Sequence, residues 1–174
     1  HDLAWAAFSQ GRLDDAARLI QRLQAEHPEY PETWLLVGRL GMLRRDAAAA
    51  EPALRRHLEL APRSAQGWFQ LGVLLLAQNR FLESADASLK ATEIKADFGP
   101  AFFNRGVALA RAGKPADAVP CFQATLRHNP EHFDTYVLLA DLLLQLGRRD
   151  PVPPLLDTAA RLRPDDPRLA ALRR

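Results

Sequence analysis

Apolar side chains along this chain fall at helical intervals and break off at regular points. Trp34, Val37, Leu40 and Gly41 recur at three and four residues, as do Trp68, Leu71, Leu74 and Leu75. That spacing lines one face of an α-helix and does not fit a strand. Gly11, Asn79, Gly113 and Gly147 stand where a first helix should end and a second begin, because each tolerates the positive φ that closes a helix. Arg45 holds the same place in one unit, so its turn is expected to be tighter or slightly strained. Pro115 and Pro151 open second helices, where a missing N–H is harmless because first-turn amides lack intrahelical partners. Pro52, Pro120 and Pro154 come slightly later and fit only if they still lie in that first turn. The pattern predicts an all-α chain of antiparallel helix pairs.

The pairs repeat on a 34-residue period: Trp34, Trp68, Phe102 and Tyr136 open successive units without an insertion. Four residues later stand Gly38, Gly72, Gly106 and Ala140, with Ala4 in register before them. Sixteen after the ring come Ala50, Ser84, Ala118 and Val152, preceded by Ala16; twenty-eight after it come Pro62, Ala96, Pro130 and Pro164, preceded by Pro28. This order of ring, small residue, alanine and proline resembles the tetratricopeptide repeat (TPR), whose unit is two antiparallel helices. The resemblance implies a right-handed α-solenoid of about five stacked units within a single domain, residues 1–174. Its parts are a partial unit at 1–30, full units at 31–64, 65–98, 99–132 and 133–166, and the start of a capping helix at 167–174.

Packing expectations follow from the columns. The small residues let paired helices approach, and the rings Trp34, Trp68, Phe102 and Tyr136 are expected in the core. The third unit is the least regular: Ser88 stands where other units carry Ile20, Leu54, Phe122 and Leu156. Losing that burial costs about 1.5–3 kcal/mol unless a neighbour fills the space, which makes the stretch from Ser84 to Ala96 a candidate soft point with faster amide exchange. Glu51 with Arg55, Asp86 with Lys90 and Asp157 with Arg161 are i,i+4 pairs expected on the outer helices, each contributing about 0.2–0.5 kcal/mol. Arg105, whose equivalents are Val37, Leu71 and Leu139, is expected to pack its stem inward with the guanidinium reaching out.

Chemistry narrows the function classes. The chain carries no Gly-rich phosphate loop, nucleophile elbow or zinc-ligand spacing, so no catalytic residue, metal site or cofactor is assigned and a non-enzyme is expected. His128 and His132 are four apart but flank Pro130, which places them in a solvated turn. Cys121, the only cysteine, excludes an internal disulfide and reads as a small apolar filler. A net charge of +2 gives little pull on nucleic acid, even with a pI near 9.0. No apolar run reaches the ~18 residues of a membrane span. Arginine in excess of lysine, with abundant alanine and leucine, hints at a bacterial source; a cytoplasmic setting is favoured over a periplasmic one. Both ends fall inside helices, the expected look of a piece of a longer protein.

The TPR resemblance further implies a concave surface lined by first helices. By phase, Leu35, Arg39, Met42, Phe69, Val73, Leu76, Phe103, Val107, Arg111 and Asp141 would face that groove. Leu43, Val137, Glu32 and Asp134 extend its lining and rim, and Trp5 and Phe8 continue it into the partial unit. Leu35, Phe69 and Phe103 occupy the row where a chaperone-tail clamp needs Lys, Arg and Asn. The row Leu36, Gln70, Asn104, Leu138 likewise breaks the asparagine ladder of O-GlcNAc transferases. The expected function is a non-catalytic adaptor or scaffold holding a protein or peptide segment in an apolar groove. The alternatives are the substrate-recognition arm of a larger modifying enzyme (glycosyltransferase, sulfotransferase or methyltransferase) and a scaffold that self-associates weakly end to end.

Overall fold

A computed structural model describes residues 2–172, apart from the side chains of residues 2, 3 and 5. Its helices are α1 (Asp2–Ser9), α2 (Leu13–Glu26), α3 (Pro31–Leu43), α4 (Ala47–Leu60), α5 (Ala65–Ala77) and α6 (Phe81–Ile94). They continue with α7 (Gly99–Arg111), α8 (Pro115–His128), α9 (Phe133–Gln145), α10 (Val152–Leu162) and α11 (Pro167–Leu172). Helices pair within each repeat, no strand occurs among the described residues, and the array is the all-α solenoid that the periodicity implies.

The five turns inside the repeats share one chemistry. Gly11, Arg45, Asn79, Gly113 and Gly147 all take positive φ, between 58° and 73°. In each turn the next amide reaches back to the third-last helical carbonyl, as Asp46 N–H does to Gly41 at 2.8 Å and Arg148 N–H to Leu143 at 2.8 Å. This is the six-to-one bond of a Schellman cap. Arg45 adopts a conformation that a Cβ disfavours by about 1–2 kcal/mol. Arg45→Gly is therefore expected to raise unfolding free energy by about 0.5–1 kcal/mol, read from urea midpoints; a loss of stability would contradict the strain.

Two proline expectations need correction. Pro52 and Pro120 lie inside α4 and α8, past the first turn, whereas Pro154 is still in the first turn of α10. Both interior prolines are exposed, so water can satisfy the carbonyl that each leaves without an amide partner.

The repeat rings are half-buried rather than core. Their polar tips explain the displacement. Trp34 Nε1–H donates to the Pro28 carbonyl at 2.7 Å, Trp68 Nε1–H to Pro62 at 2.9 Å, and Tyr136 O–H to Pro130 at 2.9 Å. Each ring thus clips its unit to the turn before it, with its tip at the rim. Phe102 has no donor and Ala96 replaces the proline there; this ring stacks on His128, centroids 5.6 Å apart.

Close approach at the small-residue column is real. A Cβ on Gly106 would sit 2.8 Å from the Phe122 ring, and one on Gly72 would sit 2.7 Å from Ser88 Oγ. The expected loss of burial at Ser88 does not arise. Ser84 and Ser88 are both fully buried, and Asn104 from the next unit occupies the space, its Nδ2 donating to Ser88 Oγ at 2.8 Å and to Ser84 Oγ at 3.2 Å. Ser84 Oγ in turn donates to the Gly72 carbonyl at 2.7 Å. With small groups facing it, α7 packs on α6 more intimately than other units pack on their neighbours. Amide exchange from Ser84 to Ala96 is therefore expected to be no faster than in α4 or α8; selective loss of protection there would restore the soft point.

On the outer face, Glu51 binds Arg55 at 2.8 Å and also Arg80 of the next unit at 2.8 Å. The expected Asp86–Lys90 pair does not form, because the Lys90 ammonium lies over the Trp68 ring, 4.1 Å from its centroid. Burial opposes ionisation of Glu51, but hydrogen bonds from Arg55, Arg80 and Gln78 outweigh it and hold the carboxyl below its usual range. Its stabilising contribution is complete above the ordinary glutamate pKa and is lost as pH falls through the lower folded value. Glu51→Gln should flatten part of the stability loss below about pH 4, measured by urea titration; an unchanged acid slope would remove Glu51 from the account.

Candidate functional site

First helices approach their counterparts, α3 on α5 and α5 on α7, while second helices stand further from theirs. The unequal spacing curves the array toward the first helices. Leu35, Arg39, Met42, Phe69, Val73, Leu76, Phe103, Val107 and Asp141 are half-buried there, and Arg111 is exposed. Val137 is buried, so it lies beneath this surface, and Leu43 protrudes at 57% exposure. Trp5 lies outside the described side chains.

The rim charges are engaged within the protein. Arg39 lies over the Phe8 ring at 4.8 Å, with burial lowering its pKa, and Arg111 lies over Phe81 at 5.5 Å. Asp141 accepts from Gln145 at 2.8 Å, and Asp134 pairs with Arg168 of α11 at 2.9 Å. These groups set polarity around the groove.

One concavity of about 360 Å³ opens between the start of α7 and the turn joining α8 to α9. Phe69, Val73 and Phe103 supply its apolar side. The other groove residues read from phase lie outside it. Its polar side comes from Asp97, Asn104, His128, Asn129 and His132, which helical phase alone did not assign to a site. His132 is half-buried, its ring 4.7 Å from Phe103 and its Nδ1 bonded to Thr135 Oγ1 at 2.8 Å. Phe69 packs on Phe98 at 5.1 Å. A signal for this was present: among the full units, residues one and thirty after the repeat ring are both aromatic in two, as Phe69 with Phe98 and Phe103 with His132. The two histidines thus flank the concavity, and no cluster of three metal-ligating side chains occurs among the described residues. Cys121 is buried at the core, where burial pushes its thiol pKa up, in keeping with a filler.

The arrangement offers an aromatic floor with hydrogen-bonding groups at its edge. Family profiles described as tetratricopeptide repeat match residues 1–65, 44–100 and 109–174. The chain belongs to the tetratricopeptide repeat family. Among curated proteins, this TPR chain is similar to the protein O-mannosyl-transferase Tmtc3 of Drosophila melanogaster, 34% identical over 91 residues. It is also similar to human TMTC3, 30% identical over 95 residues. These matches span 52% and 55% of the chain but only 10% of each relative. Among solved structures, MamA superposes with a TM-score of 0.85 at 20% identity, covering 93% of this chain and 95% of that one. YrrB, described as a TPR protein with an unusual peptide-binding site, gives 0.84 at 18%, covering 98% and 88%. The pilF structure from Pseudomonas aeruginosa gives 0.87 at 21%, covering 98% and 78%. At these identities the structural likeness establishes the fold. No helix among the described residues is long and apolar enough to cross a membrane.

Proposed function

We propose that this TPR array is a non-catalytic interaction module that seats a peptide segment of a partner protein along its first helices, with one apolar side chain entering the concavity at Phe69, Val73 and Phe103. The observation that carries the reading is that concavity. Its floor is aromatic and its edge, from Asn104 to His132, can hold the polar backbone of a bound segment. Burying ~400 Å² of apolar surface gives a gross gain of about 10 kcal/mol, which association costs reduce to micromolar affinity. Peptides selected from a random display library on the intact chain should lose about tenfold or more in affinity on Phe69→Ala with Phe103→Leu. The leucine is chosen because Phe103 also packs on Phe122, 5.9 Å between centroids; circular dichroism checks that the fold persists. Unchanged affinity in a folded variant contradicts the site.

The similarity to O-mannosyl-transferases over 52% of the chain favours one second reading, a substrate-recognition arm of a larger modifying enzyme. In that case the same groove would present the substrate protein. A reading frame without a transferase domain elsewhere would rule it out.

A further inference from the structure

A second recess, of about 750 Å³, lies on the opposite side of the array, between the outer helices α8 and α10. Its apolar lining includes Leu139 and Leu143 of α9, both buried, flanked by Leu126 and Leu155. Arg127 and Arg148 edge it, and no carboxylate lines it. Neither arginine has an ion-pair partner among the described residues.

The repeat register gives this a meaning that the recess alone would not have. Arg148 is the equivalent, two units on, of Arg80. Arg80 is held by two carboxylates, Glu51 at 2.8 Å and Glu83. The residues equivalent to those acids are Val119 and Pro151, and both line the recess beside Arg148. Arg127, moreover, stands where that earlier unit has Glu59. The fold therefore keeps the cation and replaces its acidic partners by apolar groups, while adding a second cation across an apolar floor.

We propose that this outer recess docks an acidic amphipathic segment of a partner protein, whose leucine-like side chains cover Leu139 and Leu143 and whose carboxylates take the places left by the equivalents of Glu51 and Glu83. Charge complementarity selects the occupant: a guanidinium pairs with carboxylate in a directed, bidentate manner. A net charge of +2 with two localised arginines does not make the broad basic surface that an anionic membrane would need. The recess is separate from the groove of the proposed function and stands or falls independently of it.

The test uses a fluorescein-labelled helical peptide of about fifteen residues, with leucines along one face and two glutamates at its edge, titrated by anisotropy against the whole chain. Saturable binding is expected, weakened about tenfold by Arg127→Glu with Arg148→Glu and by about threefold to fivefold by Pro151→Glu, which rebuilds an internal acid beside Arg148. Phe69→Ala should leave it unaltered. A peptide with lysines in place of the glutamates that binds as tightly, or affinity indifferent to Arg127→Glu with Arg148→Glu, overturns the proposal. Sedimentation with phosphatidylglycerol-containing vesicles in the absence of peptide binding would overturn it too, in favour of a lipid surface.

Discussion

Replacing Phe122 by alanine is expected to lower the unfolding free energy by about 3–5 kcal/mol, the largest effect of any single substitution considered. Phe122 is the bulkiest of the fully buried side chains among the described residues. Its ring fills the space opposite Gly106 and meets Phe103 at 5.9 Å, so truncation removes packing from both helices of one repeat and from the floor of the groove. The partner position gives an independent check. Gly106→Ala alone should cost about 1–3 kcal/mol, because its Cβ would press on an aromatic ring held on all sides. Combined with Phe122→Leu, the same alanine should cost less than the sum of the two single changes. Additive costs would mean that Gly106 and Phe122 do not share a space. Urea unfolding with a constant m-value is the suitable measurement; a changed m-value would signal that the array no longer unfolds as one unit.

Asn104→Ala should cost about 2–3 kcal/mol, although the residue replaced is polar and its counterparts in other units include leucines. Its amide spans two units, satisfying Ser88 and Ser84, which are fully buried, while Asn104 itself keeps only a narrow exposure to the concavity. Removal leaves Ser88 Oγ without its donor and opens a void between α6 and α7. Asn104→Leu should also be destabilising, because it refills volume but restores no hydrogen bond. Pairing that leucine with Ser88→Ala should recover part of the loss, since an apolar pair needs no donor. If Asn104→Leu alone matched the parent protein, the buried network would be dispensable.

How much of this was legible from the residues depends on the range of the interaction. The turns were legible because their chemistry is local: a helix that ends in a left-handed residue favours Gly or Asn, and the same geometry at Arg45 follows from its place in the period. The helix pairs were equally plain from spacing. The rings were misplaced because periodicity reports that a position is apolar, not that Trp34, Trp68 and Tyr136 each carry a donor that must reach the carbonyl of a preceding proline. Ser88 looked like a defect for the same reason. Its partner lies sixteen residues away in another unit, and comparing one column at a time does not show that a small residue in one unit admits a larger one from the next.

The candidate groove divides similarly. Phase along the first helices placed Phe69, Val73 and Phe103 on a common surface, and the concavity includes all three. Its other half comes from Asn104 on α7 and from the junctions between units, at Asp97 and from His128, which ends α8, to His132, where helical phase carries little information. Reading two columns together, one and thirty residues after the ring, would have joined Phe69 to Phe98 and Phe103 to His132. Each pair lies within one unit and is set by how the turn after the second helix folds back onto the first helix, a tertiary quantity.

The central claim is that the concavity at Phe69 and Phe103 is where a partner segment binds. Amide hydrogen exchange on the intact chain, with and without a saturating display-selected peptide, tests it most directly. The expected result is added protection in α5 near Phe69, at the start of α7 and in the turn from His128 to His132, with α2 and α4 unaltered. Binding that protects only the outer helices, or nothing around Phe69 and Phe103, would contradict the account.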